Sequence, residues 1–164
     1  RPGVYGAFGC HPLSAGEWGG QMEAKVRHMV SSHPKVVAVG ECGLDYHYES
    51  DTAAREAQWA VFAAQMALAA ELGKPLIVHT REAEEDTVRL MLQHLPRHHP
   101  VHVHCFTSSA ELAAQLLEAF PNLCIGFTGV VTFKNGADVR AVVEAVPLER
   151  ILLETDGPYM APAP

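Results

Sequence analysis

The chain has 164 residues, 48% of them hydrophobic, and its 12 basic and 19 acidic residues give a formal net charge of −7. This length suits one domain, and this hydrophobic content excludes a disordered chain. The acidic balance excludes nucleic-acid binding that depends on bulk positive charge. It does not exclude a nucleic-acid enzyme whose metal ions supply positive charge locally.

The sequence predicts an intracellular protein, cytoplasmic or nuclear, rather than a secreted one. It begins without a basic segment followed by an apolar one, and no apolar run approaches the roughly 18 residues that a membrane-spanning helix needs. The four cysteines, Cys10, Cys42, Cys105 and Cys124, form no C-x-x-C pair and are predicted to be free thiols. We therefore expect no membrane partner.

Short apolar runs alternate with longer stretches of helical spacing. The predicted strands, in chain order, are Val4–Phe8, Val36–Val39, Leu76–Val78, Val101–Val103, Cys124–Phe127 and Ile151–Leu153. The predicted helices between them are Glu17–Ser32, Thr52–Leu72, Asp86–Leu95, Ser109–Phe120 and Asp138–Val146. Glycine or proline follows most of these helices closely, as is typical of helix ends.

This alternation predicts an α/β fold, with a parallel sheet whose strands are joined by helical crossovers. A closed eight-stranded barrel takes about 250 residues, more than this chain has. The pattern therefore leaves two architectures open: a doubly wound open sheet, and a barrel that lacks about two βα units.

A residue able to bind a metal or to carry a proton stands at the end of five of the six predicted strands. These residues are His11, Glu41, His79, His104 and Asp156, whereas the fifth strand is followed by Thr128. In a parallel barrel the carboxyl ends of all strands meet on one face, so we expect these side chains to converge. Two histidines and two carboxylates suit a borderline divalent metal such as Zn or Mn. Arg81 lies two residues after His79, on the same side of the strand, which favours a charge-paired or phosphate-contacting role.

Five short motifs together resemble the TatD-related metal-dependent deoxyribonucleases. They are Gly9-Cys10-His11-Pro12, Val39-Gly40-Glu41-Cys42-Gly43-Leu44-Asp45-Tyr46, Pro75-Leu76-Ile77-Val78-His79-Thr80-Arg81, His104-Cys105-Phe106-Thr107 and Leu153-Glu154-Thr155-Asp156-Gly157-Pro158-Tyr159. Each motif is weak alone, but the five occur in the family's order and span nearly the whole chain.

The resemblance implies a (β/α)8 TIM barrel of the metallo-hydrolase type, present here as an incomplete barrel of about six βα units. It implies a deoxyribonuclease, most simply an exonuclease, with DNA as its substrate. It also implies divalent metal ions, two in number and of Zn, Mn or Mg, with Glu41, His79, His104 and Asp156 as ligands and Glu41 bridging. Asp156 is then the expected general base, and Glu41 the second catalytic residue. His11 and Arg81 are expected beside the scissile phosphate.

The sequence departs from the family pattern at both of its ends. The family's H-x-H pair on its first strand is missing before Glu41, and so is its segment beyond the Pro-Tyr turn. We therefore interpret residues 1–164 as a single domain and an internal fragment, a partial TIM barrel that lacks its first strand or strands and its C-terminal segment.

Two other functions fit the same residues. An amidohydrolase-type barrel uses this ligand set on cyclic amides or lactones. A non-catalytic scaffold would keep the barrel without its chemistry. A screen of phosphodiesters beside amides and lactones separates these hypotheses.

Overall fold

The computed structural model describes residues 2–49 and 51–164. The strands are β1 (Gly6–Phe8), β2 (Val36–Asp45), β3 (Leu76–Arg81), β4 (Val101–Val103), β5 (Leu123–Phe127) and β6 (Ile151–Leu153). The α-helices are α1 (Gly20–Ser32), α2 (Thr52–Leu72), α3 (Glu84–His94), α4 (Ala110–Ala119) and α5 (Ala137–Ala145). Short 3-10 helices cover Pro12–Glu17, Gly129–Thr132 and Leu148–Arg150.

The described strands form one parallel sheet in the order β1-β2-β3-β4-β5-β6. Strands that are neighbours along the chain are therefore neighbours in space. A doubly wound sheet reverses its strand order at a switch point, which this sheet does not do in its described residues. The predicted parallel α/β fold is confirmed, and the strand order is that of a TIM barrel.

Two strands extend beyond their predicted ends, and one predicted helix is divided. β2 and β3 continue to Asp45 and Arg81 because polar side chains inside them interrupt the apolar run without interrupting the backbone pairing. The predicted helix Glu17–Ser32 is instead the end of a 3-10 helix followed by α1. Gly19, in extended backbone, separates the two.

Local signals in the sequence fix the ends of α2, the longest described helix. The Asp51 side chain accepts a hydrogen bond from the Ala54 N–H at 3.3 Å and so caps the first turn. Gly73 ends the helix in the left-handed conformation with φ 61°, which glycine adopts without the strain that a Cβ would add. The predicted bounds Thr52–Leu72 are confirmed.

The main core lies between the sheet and the helices packed on its outer side. Its largest buried members include Phe62 and Met66 of α2, Leu76 of β3, Leu116 of α4 and Ile125 of β5. Because this apolar layer lies along one face of the sheet, the carboxyl ends of the strands are left for polar side chains.

A polar cluster on the outer surface joins Tyr46, the residue after β2, to α2 and α3. The Tyr46 hydroxyl donates to Asp86 Oδ2 at 2.7 Å and accepts from Trp59 Nε1 at 2.5 Å. Arg89 donates to Asp86 Oδ1 at 2.6 Å. Burial opposes ionisation of Asp86, but the hydrogen bonds from Arg89 and Tyr46 lower its pKa below the ordinary value.

The sheet has two outer strands, β1 and β6, and the described residues place no further strand beside either one. Both carry exposed apolar side chains, with Phe8 on β1 and Leu152 and Leu153 on β6. None of the helices in residues 2–49 and 51–164 is long and apolar enough to cross a membrane.

Candidate metal centre

The polar residues predicted from the strand ends meet at the carboxyl end of the sheet. His11 follows β1, Glu41 and His79 lie within β2 and β3, His104 follows β4, and Asp156 follows β6. The carboxylate of Glu41 lies at the middle of this cluster. Residues up to 145 positions apart in the sequence thus come together because the parallel strands all end on the same side.

The two oxygens of Glu41 face two different groups of side chains. Glu41 Oε1 lies 3.1 Å from His11 Nε2 and 3.6 Å from His79 Nδ1. Glu41 Oε2 lies 3.3 Å from His104 Nε2, which is itself 3.6 Å from Asp156 Oδ1. One carboxylate therefore links two clusters of nitrogen and oxygen donors, each compact enough to surround one cation.

The donor set fits a borderline divalent metal. The ligand atoms of His11, Glu41 and His79 lie within 4.8 Å of one another. Those of His104, Cys105 and Asp156 form a second group of the same size. Imidazole and carboxylate donors suit zinc or manganese better than calcium, which prefers oxygen ligands throughout.

The backbone of β2 is irregular where it presents Glu41. The β2–β3 ladder shifts register between Val39 and Cys42, and such a shift near a site re-aims a side chain. Gly43 has φ 144°, and a Cβ there would overlap the carbonyl oxygen of His79. The glycine of the Glu-Cys-Gly-Leu-Asp motif is thus required by the close approach of β2 and β3.

Each of two imidazoles in the cluster has a second carboxylate on its far side. His79 Nε2 lies 3.2 Å from Oδ2 of Asp45, which is only 2% exposed. His104 Nδ1 lies 2.5 Å from Oε2 of Glu154. The nitrogens left facing Glu41 are Nδ1 of His79 and Nε2 of His104, so the two rings present opposite atoms to the middle of the cluster.

The charges around the cluster shift several pKa values. A hydrogen bond from His11 lowers the pKa of Glu41 despite burial, and the neighbouring His104 and His79 add to the shift. Burial lowers the pKa of His79, and the nearby His11 adds to this effect. The hydrogen bond to Glu154 raises the pKa of His104. The Glu41 carboxylate is therefore held ionised, the form that binds a cation.

Glu154 is held ionised most strongly. Burial opposes its charge, but the imidazoles of His102 and His104 and the N–H of Cys105 lower its pKa to about 2. The neighbouring thiol behaves in the opposite way, because burial, together with the charges of Asp156 and Glu154, raises the pKa of Cys105 to about 12. In the metal-free protein Cys105 is thus a protonated thiol beside Asp156.

Two buried glutamines of α2 hold the strand ends that carry the cluster. Gln65 Oε1 accepts from the Cys10 N–H at 2.7 Å, and its Nε2 donates to the Cys10 carbonyl at 3.0 Å. Gln58 makes the same pair of bonds with the backbone of Asp45, at 2.9 and 3.0 Å. Each glutamine therefore satisfies the N–H and the carbonyl of one residue, Cys10 beside His11 for Gln65 and Asp45 for Gln58.

A cleft of about 710 Å³ opens next to the cluster. Its polar lining includes His11, Asp45, Arg81 and Asp156. The Arg81 guanidinium also stands 5.3 Å from the ring centroid of Tyr48, another lining residue. The cleft thus offers a cation, an aromatic surface and the candidate ligands to a bound molecule.

The structure brings every predicted site residue to this region and adds others. Glu41, His79, His104 and Asp156 form the cluster, and Arg81 lines the cleft. Our sequence reasoning missed Asp45 and Glu154. A signal for Glu154 was present, because it precedes Asp156 by two residues and alternation places both on one side of an extended chain.

A family model described as TatD related DNase matches residues 1–164. The chain is 44% identical over 161 residues to the human protein named 3'-5' RNA nuclease TATDN2. It is 40% identical over 161 residues to the Bacillus subtilis (strain 168) protein named uncharacterized metal-dependent hydrolase YabD. These matches cover 97% and 98% of this chain, but 21% and 61% of the two relatives.

Among solved structures, the TatD homologue YJJV from Escherichia coli K12 matches with a TM-score of 0.87 at 30% sequence identity. The match covers 99% of this chain and 61% of that chain. The chain thus spans less than two thirds of the length of each of these proteins.

Proposed function

We propose that this chain, which belongs to the TatD related DNase family, forms the catalytic centre of a metal-dependent nuclease that hydrolyses phosphodiester bonds of DNA. One observation carries the proposal: the Glu41 carboxylate lies within 3.6 Å of three imidazoles, those of His11, His79 and His104. A group of this composition at the carboxyl end of a parallel sheet is what metal-assisted hydrolysis requires.

Glu41 is proposed to bridge two divalent ions, which would be Zn, Mn or Mg. His79 would complete one position through Nδ1, and His104 and Asp156 would complete the other. Bound ions of this kind supply Lewis acidity that neutralises phosphoryl oxygens and makes water a better nucleophile. His11, predicted beside the phosphate, is close enough to Glu41 to serve as a ligand as well.

The remaining residues have roles that follow from their positions. Asp156 lines the cleft, and its carboxylate is proposed to accept the proton of the attacking water. Arg81 lines the same cleft and is proposed to bind the phosphate through its guanidinium, whose planar fork of donors matches phosphate oxygens. The acidic net charge of the chain does not prevent this, because the ions and Arg81 place positive charge where the phosphate sits.

The position of Arg81 favours a phosphodiester over a cyclic amide or a lactone, since neither of the latter carries a charge for the guanidinium to neutralise. The convergence of the candidate ligands favours catalysis over a purely structural role. An intracellular location accords with the four free cysteine thiols.

The test is a nuclease assay on the purified protein with end-labelled single-stranded DNA, duplex DNA and RNA, in the presence of Mn²⁺, Zn²⁺ or Mg²⁺. Cyclic amides and lactones are assayed beside them. We expect metal-dependent cleavage of DNA that a chelator abolishes. Glu41→Gln should lower the rate at least about 100-fold, because removing an interaction that holds the transition-state charge costs roughly 3 kcal/mol.

Glu118→Gln is the matched control, because Glu118 is an exposed glutamate on α4, on the helical layer. This variant should cleave DNA at the parent rate. Full activity of Glu41→Gln, or hydrolysis restricted to amides and lactones, would refute the proposed function. Cleavage of RNA alone would refute the DNA substrate while keeping the phosphodiester chemistry.

A further inference from the structure

Glu154 lies next to the candidate metal ligands, and its carboxylate contacts three separate groups. Its Oε2 is 2.5 Å from His104 Nδ1, and its Oε1 accepts the Cys105 N–H at 2.6 Å. The same Oε1 lies 3.5 Å from His102 Nε2. The side chain is 14% exposed, so the carboxylate is held largely by protein rather than by water.

The surroundings of Glu154 are shaped to hold its carboxylate in this place. Gly126 on β5 lies against it, and a Cβ at that position would overlap Glu154 Oε1 and stand 2.6 Å from Glu154 Cδ. A side chain at residue 126 would therefore displace the carboxylate. The missing side chain makes room for Glu154 between β4 and β6.

His102 supplies a second, independent observation. Its Nε2 is buried and makes no hydrogen bond within the described residues, and it points at Glu154 from the 3.5 Å distance given above. A buried imidazole nitrogen without a partner is costly unless a neighbouring charge compensates it. His102 thus faces the same carboxylate oxygen, Oε1, that accepts the Cys105 N–H.

We propose that Glu154 is a positioning residue that keeps the proton of His104 on Nδ1 and so leaves the Nε2 lone pair free for a divalent cation. This inference rests on the proposed function, because it takes His104 as a metal ligand. A carboxylate accepts hydrogen bonds but donates none, so the His104 nitrogen facing it must carry the proton. The other nitrogen, Nε2, then faces Glu41 and Asp156 with its lone pair.

Glu154 also contacts the backbone beside His104. Cys105 has φ 48°, in the left-handed region that a residue with a side chain rarely adopts. The Cys105 N–H bond to Glu154 stabilises this turn, which directs the chain away immediately after His104. Glu154 therefore fixes both the tautomer of the ring and the backbone that carries it. Carboxylates that orient metal-binding histidines in this way typically contribute 10–100-fold to metal affinity.

The first test needs no substitution. In the metal-free protein at alkaline pH, where the rings are neutral, nitrogen NMR of the histidine side chains should show His104 protonated on Nδ1. In Glu154→Gln, whose amide can also donate, the His104 ring should lose this preference. A parent protein with His104 protonated on Nε2 would overturn the inference.

The second test measures metal affinity by calorimetric titration with Mn²⁺ and Zn²⁺. Glu154→Gln should weaken binding about 10–100-fold while the unfolding temperature stays close to that of the parent. Gly126→Ala should weaken binding to a similar degree, because its Cβ displaces the Glu154 carboxylate, and the His102 ring beside it, without changing any charge. Asp45→Asn is the matched control for the NMR signal: it removes the carboxylate behind His79 and should leave the His104 tautomer unchanged.

The variant His104→Ala distinguishes a failure of the proposed metal site from a failure of the positioning role of Glu154. If His104→Ala binds metal as tightly as the parent, the proposed metal site is wrong and the inference falls with it. If His104→Ala loses affinity while Glu154→Gln keeps both the parent affinity and the parent tautomer, the site stands and the positioning role of Glu154 is refuted.

Discussion

Substitution of the buried glutamine Gln65 tests how α2 positions the candidate metal ligands. Its side chain is 0% exposed and pairs with both the N–H and the carbonyl of Cys10, the residue before His11. Leucine at this position has a similar size but neither donor nor acceptor. Gln65→Leu therefore leaves both backbone groups of Cys10 buried without a partner.

The cost follows from these two groups. Leaving a buried donor or acceptor unsatisfied costs about 1–3 kcal/mol, so the two together cost about 2–6 kcal/mol. That is a large share of the roughly 5–15 kcal/mol that stabilises an ordinary domain. For a chain of this length, each kcal/mol lowers the unfolding temperature by about 2–4 °C. We expect a decrease on the order of 10 °C.

Urea unfolding and thermal unfolding of the metal-free protein measure this cost, and metal titration measures its effect on the site. Gln115→Leu makes the same exchange at an exposed position of α4 and should change stability by no more than about 0.5 kcal/mol. The reasoning is refuted if Gln65→Leu is as stable as Gln115→Leu. It is also refuted in part if Gln65→Leu is destabilised but binds metal as the parent does. The position of His11 would then not depend on the hydrogen bonds between Gln65 and Cys10.

Arg81→Ala should lower kcat/KM on DNA roughly 10–100-fold, because a hydrogen bond to a charged group is worth about 1.5–3 kcal/mol. Arg97 lies at the opposite end of the sheet, so the control variant Arg97→Ala should match the parent. Asp86 has a lowered pKa in the folded protein, so its contribution to stability is present above its ordinary pKa of 3.8 and is lost as the pH falls through the lowered value. Urea unfolding should therefore show Asp86→Asn less stable than the parent at neutral pH, with the gap closing in acid; a constant gap contradicts the assignment. The outer strands carry exposed Phe8 and Leu153, the latter 87% exposed, so the 164-residue chain should self-associate in light scattering. A monodisperse monomer at high concentration would refute this expectation.

The sequence was sufficient to predict the strands and helices because their signals are local. Apolar runs marked the strands, and Gly73 marked the end of α2. The same reasoning failed where a polar residue belongs to a strand. Glu41 and His79 interrupt an apolar run although the backbone pairing continues past them, so β2 and β3 are longer than predicted.

The candidate ligands were predictable for a topological reason, whereas their supporting residues were not. Each candidate ligand lies at or near the carboxyl end of its own strand, and parallel strands bring those ends together whatever the details of packing. The hydrogen bonds between Gln65 and Cys10 join residues 55 positions apart, and they depend on how α2 is rotated about its axis against the sheet. No periodicity in the sequence reports that rotation, so a buried glutamine looks like any polar interruption of an apolar helix.

Glu154 lies between these two cases, because its side of the chain was predictable but its partner was not. Alternation from Asp156 places Glu154 toward the cluster, and a second carboxylate there could have been a further ligand. The structure assigns it differently, because Gly126 leaves room for the carboxylate to reach the far nitrogen of His104 and the Cys105 N–H. A ligand and a residue that orients a ligand can therefore have the same residue type and the same alternation in the sequence. What separates them is which atom of His104 each one meets, Nδ1 for Glu154 and Nε2 for Asp156, and that distinction exists only in three dimensions.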